Sequence, residues 1–266
     1  RQMCIRDRAS ACQHTPHTSV MQILLSCAKT MGHTLPVYAP MPTLPRFAGE
    51  ADEAVRMLMQ LSPDEVGKML KVNGQIAAEN VQRYAEYFAN ETLSVPALLA
   101  YTGIVFKQIG AADFSETDWH FAASHLFITS FLYGLLRPTD TIRPYRLEGN
   151  ARLPYPDGPT RFEHWQDLLT DVLIEETKRD DGVLVNLASA EMKRLFKWSR
   201  VKRELKVLTP DFKTIEGDKE RSVVVYTKMC RGQMTRFILK NHLTDCTELM
   251  AFEPDVAEAA VVTKWE

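Results

Sequence analysis

Long apolar runs are missing from this 266-residue chain, and no stretch approaches the roughly 20 residues that a membrane-crossing helix needs. Cysteine is scarce too. Two of the five, Cys4 and Cys12, fall in residues 1–20. That segment does not begin with methionine and has no apolar signal core or clear period, so it reads as a foreign leader, translated from non-coding or adapter sequence. The other three, Cys27, Cys230 and Cys246, are odd in number and scattered, with no CxxC spacing. Such a set argues against a disulfide framework or a structural zinc site and points to a reducing cytoplasm. Conventional catalytic signatures are absent: there is no GxSxG, HExxH, GxGxxG or DxDxDG. No cluster of His, Cys and carboxylate shows first-row metal spacing, and His120 and His125 stand five apart rather than three or four, so neither a cofactor nor a stable iron site is expected. Excess positive charge is also lacking. Residues 1–20 carry Arg1, Arg6 and Arg8 against Asp7, and without them the chain holds 29 basic and 33 acidic side chains, net −4. Nucleic acid could be held only through local basic patches.

What remains is an ordinary globular composition, 45% hydrophobic and 25% charged. Residues 21–26 form a short apolar run suited to a buried strand. Four prolines between Pro36 and Pro45 mark an irregular connection. Helical spacing follows over residues 47–61, 72–88 and 95–109, and Ser62-Pro63-Asp64-Glu65 is a strong helix start. Ser115 opens another helix, and residues 160–178 are amphipathic. Residues 183–187 read as a buried strand, with a new helix capped beyond it at residues 188–191. Residues 204–208 and 222–226 read as strands of a hairpin turning at 216–219, and residues 229–241 return to helix. Without repeats or low-complexity linkers, residues 21–266 are expected to form a single domain. The fold class is mixed α/β (α+β), a mixed β-sheet wrapped by helices.

Arginines and lysines in three places could carry chemistry. Residues 127–148 hold Arg137, Arg143 and Arg146 beside Pro138, Pro144, Tyr133 and Tyr145. Gly134 suits a sharp bend between two short helices. Three guanidinium forks near rigid backbone suit phosphate; the alternative is arginines that bridge carboxylates within the fold. Residues 193–206 hold seven cations, Lys197 among them, against Glu204 alone, either a phosphate-binding face or a solvated one. Lys228, Arg231 and Arg236 gather around a helix start, where an anion site is plausible. Lys29 follows the first strand, where open sheets place ligand groups, although without a Gly-rich loop a solvated loop lysine is the preferred reading of the residue alone.

Ser26-Cys27-Ala28-Lys29-Thr30 resembles the Ser-Pro-Ala-Lys-Thr opening of the YaaA peroxide-stress protein family. Tyr133-Gly134-Leu135-Leu136-Arg137-Pro138 with Pro144-Tyr145-Arg146-Leu147-Glu148 is similar to that family's central motif. Asn186-Leu187-Ala188-Ser189, and Arg231-Gly232 with Arg236-Phe237, match its later blocks in order. The resemblance runs from Met21 to about Phe252. Departures are Cys27 for proline, Phe131 for glycine, Met192 for tyrosine, Ile104 for a frequent aspartate and Met229 for a frequent lysine.

The resemblance implies a cytoplasmic protein that limits unincorporated iron during hydrogen peroxide stress. It also implies a helix-hairpin-helix-like element, expected here at Tyr133-Gly134, and a basic cleft for double-stranded DNA. On that reading Lys29, Arg137, Arg143, Arg146, Lys197, Lys228, Arg231 and Arg236 contact phosphate. The alternative is an enzyme acting on a nucleotide or other phosphorylated small molecule, with Lys29, Arg146 and Arg231 in one pocket. A third reading, an interaction module acting on iron-handling proteins, predicts neither behaviour.

Overall fold

A computed structural model of the chain describes residues 21–32, 36–38, 40–216, 219–256 and 261–265. The segment read as a leader, residues 1–20, lies outside them. The apolar run Met21–Leu25 is strand β1, and all five of its residues are buried. Near-continuous hydrophobicity of this kind, broken only by Gln22, is what a strand covered on both faces requires. β1 sits at the centre of a five-stranded sheet. On one side lie β3 (Leu126–Ser130) and then β4 (Gly134–Leu136); on the other lie β6 (Val183–Leu187) and then β7 (Lys206–Leu208). β1, β3, β6 and β7 run parallel, and β4 is antiparallel to β3. Two small antiparallel sheets accompany it. One pairs β2 (Val95–Pro96) with β5 (Thr141–Ile142); the other sets β8 (Pro210–Glu216) between β9 (Lys219–Arg221) and β10 (Val261–Trp265). The mixed sheet wrapped by helices is therefore the fold.

The bend at Tyr133-Gly134 is a correction. The helix opened by Ser115 ends at His125, and β3 begins at the next residue. Phe131, Leu132 and Tyr133 then connect β3 to β4, so the motif is a β-hairpin and not a pair of helices. Glycine is needed there for two reasons. Gly134 has φ +72°, and a Cβ on it would lie 2.9 Å from Trp165 Cζ3 on the long helix Arg161–Arg179. The apolar run 126–136 reads as helix because both faces of β3 are covered and the alternation of a half-buried strand never appears. Two helices joined by a three-residue connection do occur elsewhere, at Pro63–Leu70 and Gly74–Ala85.

Other starts match the sequence. Ser62 and Thr160 each close a capping box with the glutamate three residues on, and Ser189 caps Ala190–Lys193. The stretch 95–109 is broken into β2 and the helices Ala97–Ala100 and Ile104–Ile109. The hairpin turning at 216–219 joins β8 to β9 instead of 204–208 to 222–226. The β-branched Val223-Val224-Val225 leads into the helix Val224–Lys240, whose burial begins further on, at Cys230, Gly232, Met234 and Thr235. Tertiary packing overrides strand propensity here. Cys27 and Cys230 are free thiols.

One close approach positions the site. Helix Val224–Lys240 crosses Ile104–Ile109 at Gly232, where a Cβ would stand 2.3 Å from Val105 O and 2.6 Å from Gln108 Cβ. This contact brings Lys228 and Arg231 over Ile104 and Val105, beyond the ends of β1 and β6.

A cationic cavity at the sheet's carboxyl edge

β1 runs out at Leu25, and the chain continues through Ser26, Cys27, Ala28, Lys29 and Thr30 along the rim of a cavity of about 530 Å³. Leu187 at the end of β6, then Ser189 to Met192, form the opposite rim. Phe131 beyond β3 and Tyr145 to Leu147 form the inner wall, and Gly103 to Phe106 with Lys228 and Arg231 close the remaining side. The place follows from topology. β1 has a parallel neighbour on each side, so the connections leaving β3 and β6 part in opposite directions and open a crevice beyond its carboxyl end. Ser26 Oγ helps hold the rim together by accepting a 2.8 Å hydrogen bond from Ser189 N.

Four of the eight cations singled out from sequence meet here: Lys29, Arg146, Lys228 and Arg231. Glu148 joins two of them. Its Oε2 is 2.7 Å from Lys29 Nζ and its Oε1 is 3.2 Å from Arg146 Nη2. Arg146 and Glu148 share a face because the segment is extended, which places alternate residues on one side. Tyr84 holds that segment by donating its hydroxyl to Arg146 O. Arg146 Nε is buried with no hydrogen-bond partner among the described residues. Lys228 is exposed and Arg231 half-buried, and neither has an ion pair among the described residues. Burial lowers the pKa of Arg231, and Asp211 partly offsets that shift. Cys27, between these groups, has its thiol pushed up to about 12 by burial, then by the carboxylates of Glu191 and Glu148. Its surroundings favour the protonated thiol over the nucleophilic thiolate.

The other four lie elsewhere. Arg137 stacks 3.6 Å over Phe127 and bonds Gln22 Oε1, Ser124 O and Glu176, at the opposite end of the sheet. Arg143 lies over Tyr87, with its Nε 3.4 Å from Ser94 Oγ. Lys197 pairs with Asp167. Arg236 forks onto Asp113 at 2.7 and 3.0 Å and donates to Ile109 O at 2.8 Å, so it caps the helix that ends at Ile109. The cation-rich run 193–206 is similarly engaged: Arg200 meets Asp171 and Glu204, and Arg203 meets Glu204. Of the hairpin residues, Tyr133 accepts a bond from Arg143 N, and Gly134 packs on Trp165.

Sequence reasoning passed over Glu148, Glu191, Ser130 and Tyr101 as site residues. Glu148 was detectable from its i+2 spacing to Arg146; the other three become neighbours only through long-range packing. Among the described residues no group of three or more His, Cys, Asp or Glu could hold a metal ion, and no helix is long and apolar enough to cross a membrane.

The blocks at residues 26–30, 144–148 and 186–189 and Arg231-Gly232 thus contribute to one cavity, while residues 133–138 do not line it, and comparison with known proteins agrees with the resemblance. The family model of the peroxide stress protein YaaA matches residues 21–257. The chain belongs to the YaaA family of peroxide stress proteins. A UPF0246 protein of Bacteroides fragilis is 51% identical over 232 residues, covering 87% of this chain and 90% of its own. A UPF0246 protein of Porphyromonas gingivalis is 43% identical over 238 residues, 88% of this chain and 93% of its own. More distant is one from Burkholderia cenocepacia, 35% identical over 240 residues, 87% of this chain and 90% of its own.

Proposed function

We propose that the chain serves in peroxide stress through a pocket that binds a small phosphorylated molecule of the nucleotide class. One observation carries this reading: sequence-distant motif blocks deliver Lys29, Arg146, Lys228 and Arg231 to a single cavity. Those four cations face Glu148 and Glu191, an excess of two positive charges, which complements a phosphate monoester carrying roughly −1.5 to −2 near neutral pH. The unpaired cations set the orientation. Glu148 occupies Lys29 and Arg146, so phosphate oxygens go to Arg231 and Lys228, and a guanidinium fork takes two of them. The apolar wall of Ile104, Val105, Phe106, Phe131 and Met192 suits the planar part of a nucleotide.

Duplex DNA is the competing partner, and it fits this distribution less well. Arg137, Arg143, Lys197 and Arg236, which would extend a phosphate track, are engaged inside the fold or lie away from the cavity. An influence on unincorporated iron is then indirect, exerted through the ligand's chemistry.

Thermal unfolding with added ligands tests the proposal. A mononucleotide at about 100 times its Kd stabilises by about 2.7 kcal/mol, and Arg231→Met with Lys228→Met abolishes the shift. Stabilisation by duplex DNA alone, falling steeply with salt, would replace the pocket by a phosphate-backbone interface.

A further inference from the structure

The cavity's inner wall carries a chain of hydroxyls with one proton left over. Ser130 Oγ, at the end of β3, accepts the backbone N–H of Leu132 at 3.2 Å and of Tyr133 at 2.9 Å. Both lone pairs are used, so its own proton goes to Tyr145 Oη, 2.7 Å away. Tyr145 Oη lies 2.8 Å from Tyr101 Oη. Of these two phenols, one donates to the other, and the donor's partner keeps an O–H for which no acceptor exists among the described residues. Both rings are buried, Tyr101 at 2% exposure and Tyr145 at 5%. Burial raises both phenols well above their ordinary pKa. Tyr145 lines the cavity together with Cys27, and both phenols remain protonated donors rather than bases.

The polarity of this chain is set by backbone amides at the hairpin tip, which cannot reverse. A donor brought up to Tyr145 would turn the Tyr145 proton onto Tyr101 and leave the Tyr101 proton buried without an acceptor among the described residues, whereas an oxygen acceptor would take the Tyr145 proton and complete the chain. Phe131 helps keep the hairpin tip in place, because its carbonyl accepts both Arg161 Nε at 3.0 Å and Trp165 Nε1 at 2.9 Å.

We propose that Tyr145, held by Ser130 and Tyr101, is a specificity-determining donor that selects nucleotides whose base presents a carbonyl oxygen, with the phosphate on Arg231 and Lys228. This rests on the pocket reading above and names the end of the ligand that the cations do not touch. A site built to donate to such an oxygen rejects the analogue that replaces it with an N–H donor, since a buried hydroxyl is then left unsatisfied.

Isothermal titration with three probes separates the possibilities: pyrophosphate, inosine 5′-monophosphate and adenosine 5′-monophosphate. The two nucleotides differ in the carbonyl or amino group on the six-membered ring. The expected result is binding of all three, with the inosine compound at least about tenfold tighter than the adenosine one. Tyr145→Phe erases that preference and leaves pyrophosphate unchanged, and Tyr101→Phe, which leaves the Tyr145 hydroxyl in place, retains it. The preference in the unmodified chain is itself decisive should Tyr145→Phe not fold. Equal affinities for the two nucleotides beside firm pyrophosphate binding would overturn the donor assignment alone. Failure of all three probes to bind would overturn the phosphate pocket, and this assignment with it.

Discussion

Gly232→Ala sets two physical effects against each other, and the structure decides between them. Gly232 lies inside the helix Val224–Lys240, where intrinsic propensity favours alanine over glycine by about 1 kcal/mol. On that ground alone the substitution stabilises. Against it, the added Cβ would stand 2.3 Å from Val105 O and 2.6 Å from Gln108 Cβ, while real Cβ atoms essentially never come within 3.0 Å of another heavy atom. The nearest neighbour is backbone, which cannot rotate aside, so the two helices must separate. Overpacking of this kind costs about 1–3 kcal/mol, and a rigid carbonyl places it at the upper end. Subtracting the propensity gain leaves a net loss of about 2 kcal/mol, which for a chain of this size lowers Tm by about 4–8 °C. The displacement also carries Arg231 and Lys228 outward from the cavity rim, so affinity for pyrophosphate falls in the same variant. Urea denaturation and thermal scans measure the first effect, and titration calorimetry the second. A rise in stability would show that helix propensity outweighs the crossing and that the close approach does not position the cations.

Two further outcomes follow from groups outside the cavity. Asp118 is 4% exposed; burial, the largest single influence, raises its pKa, but bonds from Lys240 at 2.8 Å, from Ser115 and from His242 at 2.9 Å outweigh it and leave the carboxyl far below its ordinary value. A carboxylate depressed in the folded state stabilises above its unfolded pKa of about 4 and loses that contribution as pH falls below it. Asp118→Asn therefore lowers stability at neutral pH and flattens the acid limb in denaturation series at stepped pH; parallel acid limbs would contradict the assignment. Arg236→Lys removes the fork that joins Asp113 to the carbonyl of Ile109, costing about 1–2 kcal/mol in urea denaturation while leaving pyrophosphate affinity unchanged. A loss of affinity there would place Arg236 among the ligand contacts.

Local chemistry made part of this legible in advance. Ser62, Thr160 and Ser189 cap helices because a hydroxyl followed by the right acid or amide satisfies its own neighbours, whatever lies beyond. β1 and β6 read as strands because each is a short, mainly apolar run with a single polar residue, Gln22 or Asn186. The misread elements are those whose neighbours in space outweigh their neighbours in sequence. β3 is fully covered and lost its alternation, so it passed for the end of a helix, and Val224 and Val225 carry strand propensity into a helix whose burial lies further along.

The cations divide on the same line. Composition announced that arginine and lysine cluster, but a side chain of either kind reads identically whether it faces a ligand or a glutamate. Arg137 and Arg236 found carboxylates and carbonyls within the fold, while Arg231 and Lys228 found no carboxylate partner among the described residues. The sequence by itself determined the residue types, the helix starts, the central buried strand and the family to which the motifs belong, because these depend on chemistry within a few residues. Only the tertiary structure decided which charges share a cavity and which hydroxyl keeps a spare proton. Both depend on distances between segments up to about two hundred residues apart along the chain, and such distances exist only once the sheet and its covering helices have closed.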